Sequence, residues 1–124
     1  MNQKDYIRFK NKFLQHLDRD SRRHVNCVRF GKGETREHVL AKFNLAFAFR
    51  AFDFLTEVYS ANRKYRADFL YFNSHVDIPV VVEIPINESE ESIEKKRKFW
   101  TDEGFMFETY DGESNLINID ELDV

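Results

Sequence analysis

Apolar positions in this chain change their spacing several times, and each change marks an element. Tyr6, Phe9, Phe13 and Leu17 recur at helical spacing among basic residues, which predicts an amphipathic helix over 3–18. DRDSRR is a polar link. HVNCVRF (24–30) reads as a short strand with Val25, Cys27 and Arg29 on one face, and GKGE (31–34) as a flexible turn. Thr35 stands where an N-cap belongs, with Glu37 in the first turn of a helix over about 36–52. Val39, Phe43, Ala46, Phe47 and Ala51 would form its broad apolar face. FLTEVYS (54–60) shifts to strand propensity and ANRKYR is a basic turn. ADFLYF (67–72) and IPVVVEIPI (78–86) are strands joined by the polar turn NSHVD. VVVEI does not alternate, which predicts a strand buried on both faces. Residues 87–104 read as a helix with acids first and bases last, stopped by Gly104. FMFETY (105–110) is a final strand, followed by an acidic tail.

This order, α, (β), α, β, β, β, α, β, predicts an α/β fold with a mixed central β-sheet and helices on both faces. A chain of 124 residues is expected to form one domain, with 1–23 as an N-terminal helix and link and 111–124 as the tail. No run approaches the roughly 18 apolar residues of a membrane span. The N-terminus lacks a secretory h-region. We therefore expect no membrane partner and a cytoplasmic location. Cys27, the single cysteine, has no disulfide partner within the chain and is expected as a buried thiol. No CxxC, P-loop or G-x-S-x-G element is present, and His16, His24 and His75 lack ligand spacing.

The net charge of −3 hides a polarity. Residues 1–66 carry 15 Lys and Arg against 7 Asp and Glu, whereas residues 67–124 carry 4 against 15. A basic first half can meet phosphates although the whole chain is acidic, unless the two halves neutralise each other.

Two carboxylates stand out. Asp68 in RADFLYF and Glu83 in IPVVVEI sit within apolar strands, where an unpaired acid is costly. Acids from neighbouring strands at one sheet edge make a site for a hard divalent cation, Mg²⁺ or Mn²⁺, able to hold a phosphodiester and activate water. Glu34, His38 and Lys42 are spaced by four and share one helix stripe. Glu57 follows on a strand.

GETREHVLAK, TEV, YRADFLYF and VVVEIPINESEESIEKKRKFW together resemble the PD-(D/E)XK, or restriction-endonuclease-like, nuclease superfamily, and within it the CoiA-like branch. The resemblance covers roughly residues 33–107. It implies an αβββαβ core, here with an extra N-terminal helix, and a small metal-dependent nuclease acting on DNA. It implies Asp68 and Glu83 as principal metal ligands and Glu57 or Glu34 as an outer acid. His38 and Lys42 would face the site, and Arg97 on the last helix would touch a phosphate. The chain departs from the pattern at Pro85, where the superfamily usually has a Lys that stabilises the attacking hydroxide. Pro85 can neither do this nor donate a backbone N–H. Lys42 is the candidate substitute.

Each residue also has a plainer reading. Asp68 would pair with Arg66, Arg63 or Lys64, Glu83 would sit in a structural ion pair, and Lys95–Lys98 would be a solvated helix end. Arg63, Lys64 and Arg66, in a turn before Asp68, are better placed to meet a phosphate backbone. Tyr65 and Trp100 are candidates to stack on bases, with core packing the expectation for Trp100. The leading expectation is thus a nuclease on duplex or branched DNA, with a homodimer as the form that would cut both strands. The rivals are a catalytically inactive nucleic-acid-binding module, suggested by Pro85, and a protein-interaction domain whose tail, 111–123, engages a basic partner.

Overall fold

The computed structural model describes residues 2–73 and 78–112. Positions 74–77 of the expected turn, including His75, and positions 113–124 of the expected tail lie outside the described residues. The elements are α1 (Gln3–Leu14), a short 3-10 turn (Ser21–Arg23), α2 (Arg36–Ala48), β1 (Asp53–Tyr59), β2 (Arg66–Phe72), β3 (Val80–Glu83), α3 (Glu90–Asp102) and β4 (Met106–Thr109). The sheet runs β1-β2-β3-β4, with the first two pairs antiparallel and β3–β4 parallel. This is the expected mixed α/β architecture, an αβββαβ core preceded by a helix.

Local chemistry sets the helix ends. Thr35 accepts a hydrogen bond from the His38 N–H and Ser89 from the Ser92 N–H, each satisfying an amide that the first turn leaves unpaired. Gly104 follows α3 at φ +96°, a conformation that favours glycine, and ends that helix. β3 is buried along its whole length, as its unbroken apolar run predicts.

Two cores sandwich the sheet. On one side Ala41, Leu45 and Phe49 from the α2 region meet Phe54, Phe69, Tyr71, Val80 and Val82. On the other, Phe13, Leu17 and Trp100 meet Leu55, Val58, Leu70, Val81 and Phe107. Trp100 is therefore a core residue, fully buried.

Four sequence expectations need correction. Helix α1 ends at Leu14, not 18, because the chain leaves it to pair with the end of β1. Leu17 bridges Ser60, and the Asp18 N–H donates to Tyr59 O. Residues 24–30 form no strand. Asn26 sits at φ +60°, and the segment is tied to β1 through side chains: Asn26 Oδ1 accepts from Phe54 N, and Thr56 Oγ1 joins Cys27 O and Arg29 N. Consequently Cys27 is exposed, not buried. Helix α2 stops at Ala48 and turns a different face inward: Phe43, Phe47 and Ala51 are exposed, while Ala41, Lys42, Leu45, Ala46 and Ala48 are buried. Apolar residues surround this helix, so spacing alone does not select a face; the small side chains let it approach the sheet closely.

Candidate functional site

Asp68 and Glu83 lie one residue beyond the Phe69–Val82 pair, at the same end of the sheet, and both are buried. A backbone irregularity in β1 helps to assemble their surroundings. Glu57 lies at φ +50°, a left-handed conformation unusual for a non-glycine strand residue. The β1–β2 ladder skips Glu57 and Asp68 between the pairs Thr56–Phe69 and Val58–Ala67. As a result Thr56 and Glu57, although adjacent, both reach toward α2 and the segment before it.

His38 joins helix to sheet. Its Nδ1 is 2.6 Å from Glu34 Oε2 and its Nε2 is 3.2 Å from Asp68 Oδ1. The hydrogen bond with Asp68, against the opposing effect of burial, and the contact with Glu34 raise its pKa from the ordinary histidine value. A carboxylate at each nitrogen favours the charged form of the ring.

Lys42 is fully buried. Its ammonium donates to Glu34 Oε1 at 2.7 Å, Arg29 O at 3.0 Å and Glu57 Oε1 at 3.2 Å. Three acceptors match its three protons. Burial would raise the Glu34 carboxyl, but its contact with Glu57 and hydrogen bonds from Lys42, the Gly31 N–H and His38 hold it well below the carboxylate range.

Asp68 Oδ2 accepts from the Ile84 N–H at 2.8 Å. Burial pulls this carboxyl up, but the contacts with His38, Glu83 and the Ile84 N–H outweigh it and leave it at about 2. Glu83 goes the other way. Burial first, then the adjacent Asp68 charge and a side-chain hydrogen bond shared with Asp68, push it well above the usual range. Its Oε2 lies 3.5 Å from Lys96 Nζ, while its Oε1 is buried with no hydrogen-bond partner. Such an orphaned oxygen costs free energy unless something positive meets it.

Lys96 was not singled out by the sequence. It bonds Glu88 at 2.8 Å and reaches Glu83 from α3. The signal was present in the helix phase, since Lys96 lies between Ile93 and Trp100 on the inward stripe of α3. Arg66, partly exposed, lies 3.9 Å from both Glu57 and Asp68. It borders a cleft of about 180 Å³ lined by Glu34, Thr35, His38, Arg66, Ile86 and Asn87.

The structure thus brings together Glu34, His38, Lys42, Glu57, Arg66, Asp68 and Glu83. Three expected residues turn elsewhere. Arg97 pairs with Glu94 and lies over the Phe107 ring. Arg63 bonds Asp18 and lies over Tyr59. Lys64 lies over Tyr65, whose ring stacks on Phe99.

The donor set suits a hard cation. Two carboxylates in contact, one with an unpaired buried oxygen, offer oxygen ligands to Mg²⁺ or Mn²⁺, which bind through few protein carboxylates and keep several waters. Among the described residues no group of three or more His, Cys, Asp or Glu is arranged to hold a metal. Nor is any helix among them long and apolar enough to cross a membrane. No protein-family model, curated protein or solved structure matches this chain.

Proposed function

We propose that this chain is a divalent-metal-dependent nuclease acting on DNA, with Asp68 and Glu83 as the residues that hold Mg²⁺ or Mn²⁺. The observation that carries this reading is the buried Glu83 carboxyl, hydrogen-bonded to Asp68, whose Oε1 meets no donor among the described residues. When bound, the ion supplies positive charge against the phosphodiester and acidity to a water.

The chain's own groups do the positioning. The Ile84 N–H and the His38 ring fix the two oxygens of Asp68. Lys96 places an ammonium beside Glu83, where it substitutes for the lysine that the superfamily pattern would put at position 85. Lys42 is occupied by Glu34, Glu57 and Arg29 O, and serves to hold the outer acids. Arg66 at the cleft mouth meets the incoming phosphate.

Nicking of supercoiled plasmid in Mg²⁺ or Mn²⁺ tests the proposal. Activity in the wild-type chain that disappears in both Asp68→Ala and Glu83→Ala supports it. Activity unchanged by those substitutions rules the site out. The second reading, a catalytically silent nucleic-acid-binding module, is favoured by Pro85 and by the saturation of Lys42. It predicts salt-dependent DNA binding with no cleavage in any metal. A homodimer on duplex or branched DNA would bring a site to each strand, and sedimentation of the chain with and without DNA tests that part of the proposal.

A further inference from the structure

A second basic cleft lies on the α3 side of β2. Its volume is about 310 Å³, and it is lined by Asn62, Lys64, Tyr65, Lys95, Lys98, Phe99 and Asp102. Its apolar lining is the Tyr65–Phe99 pair, with centroids 4.3 Å apart and planes at 16°. Three lysines surround this pair. Lys64 leans over the Tyr65 ring at 5.7 Å, Lys95 has only a loose 3.7 Å contact with Glu91, and Lys98 has no ion-pair partner among the described residues. Asp102 is the single acid of the lining. The tetrapeptide Arg63-Lys64-Tyr65-Arg66 connects this cleft to the first one, because Arg66 borders the other.

Ammonium groups around an aromatic ledge are how single-stranded nucleic acid is held. The charges follow the backbone, and the ring offers a stacking surface to any base. A purely duplex-binding surface has no use for the ledge, since paired bases keep their faces covered. We propose that the Lys64–Lys95–Lys98 cleft binds a single-stranded segment of the substrate, with a base displacing the Lys64 ammonium from the face of Tyr65 that Phe99 does not cover. The proposal rests on the nucleic-acid reading above and narrows it to substrates with an unpaired strand, such as overhangs or branch arms.

The test is fluorescence anisotropy of the full chain with labelled oligo(dT) and with a duplex of equal length, in EDTA, across a salt series. Replacing Lys64, Lys95 and Lys98 together by Gln is expected to weaken oligo(dT) binding more than tenfold at low salt. It should also flatten the log–log salt slope by about 2, at about 0.7 per phosphate contact. Tyr65→Leu, which keeps an apolar side chain against Phe99, is expected to lose about tenfold on oligo(dT) and little on duplex. A control triple, Lys4→Gln, Lys12→Gln and Lys32→Gln, makes the same charge change away from the cleft and should lose much less.

Equal losses in both triples would overturn the proposal in favour of a diffuse field. A Tyr65→Leu variant that binds oligo(dT) as tightly as wild type would overturn the stacking role. Because EDTA separates binding from cleavage, oligo(dT) binding through the cleft in a chain that never cuts sinks the nuclease reading alone. Metal-dependent cutting by a chain whose oligo(dT) binding ignores the lysines sinks only the cleft.

Discussion

Lys42 and Lys96 are both ammonium groups among carboxylates, yet their surroundings assign them different work. Lys42 has no exposed surface and all its protons are taken. Lys42→Met should leave Glu34 and Glu57 buried without their cation, at a cost of about 3–5 kcal/mol, read as a lowered midpoint in urea. Lys96 is partly exposed and has Glu88 as its close partner, with Glu83 at the longer distance. Lys96→Met should leave folding nearly intact and lower the cleavage rate about 10²-fold or more at saturating DNA. A Lys96→Met enzyme cutting at the wild-type rate would remove it from the mechanism. Glu83 provides the complementary prediction. Burial and the neighbouring Asp68 charge push its carboxyl up, so the folded chain accommodates it at a cost. Glu83→Gln, in EDTA at pH 8, should raise stability by about 1–3 kcal/mol while abolishing Mn²⁺ binding measured by calorimetry. Opposite signs for stability and binding are expected of a residue kept for its chemistry. The same residue was the clearest signal in the sequence, because an acid inside VVVEI has no packing explanation. Lys96 was hidden among four consecutive basic residues, Lys95 to Lys98, whose individual directions only the helix phase distinguishes.

At the scale of elements, legibility followed how local the determinants are. The start of α2 was readable because its cap, Thr35, is a side chain reaching three residues along the chain, whereas α3 begins at Glu90, not 87, behind a Ser89 cap that the expectation did not name. The inward face of α2 was not readable, since it depends on Lys42 finding acceptors from residues 29, 34 and 57, two of them outside the stripe. The left-handed turn of Glu57 has no sequence signature either, since the residue is not Gly, Asn or Asp. The docking of α1 illustrates the same limit. Its apolar stripe was evident, but its registration on the sheet depends on Asp53, whose Oδ2 accepts from Tyr6 OH at 2.9 Å and Lys10 Nζ at 3.0 Å. Partial burial would raise the Asp53 carboxyl, but the bonds from Lys10 and Tyr6 outweigh it and lower its pKa. A lowered folded-state value means that this stabilisation is present above the unfolded value of about 3.9 and is lost as pH falls through the folded one. Asp53→Asn should therefore cost about 1 kcal/mol at pH 7, the modest figure reflecting the exposure of both partners. The difference from wild type should hold above about pH 4 and shrink as pH falls further. Thermal melts of the two chains at pH 7 and through the acid range check this, and a gap that does not shrink as pH falls below about 3.9 would place the effect elsewhere.

At the scale of the whole molecule, the question is whether the basic first half and the acidic second half cancel. Ion pairs between them are few among the described residues. Among the described residues, the ion pairs that cross from positions 1–66 to later positions are His16–Glu103, His38–Asp68 and Arg66–Asp68; the remaining ones lie within one half. Two of those three belong to the buried site and do little for the surface. Meanwhile Lys4, Arg8, Arg19, Arg23, Lys32 and Arg36 have no ion-pair partner among the described residues. Their charge reaches solvent, where it is felt over a Debye length of about 10 Å at 0.1 M salt. Net charge therefore misstates what a polyanion meets. A chain carrying −3 overall should be retained on heparin at pH 7.5 and low ionic strength, and released well before 1 M salt, where the screening length is about 3 Å. The same sample should also bind an anion exchanger through its acidic half. Retention on both resins is the mark of segregated charge, because a surface with evenly mixed charges at the same net value would bind only the anion exchanger. Passage through heparin without delay would mean that the halves do neutralise each other in solution, and the electrostatic support for nucleic-acid binding would then be confined to the two clefts.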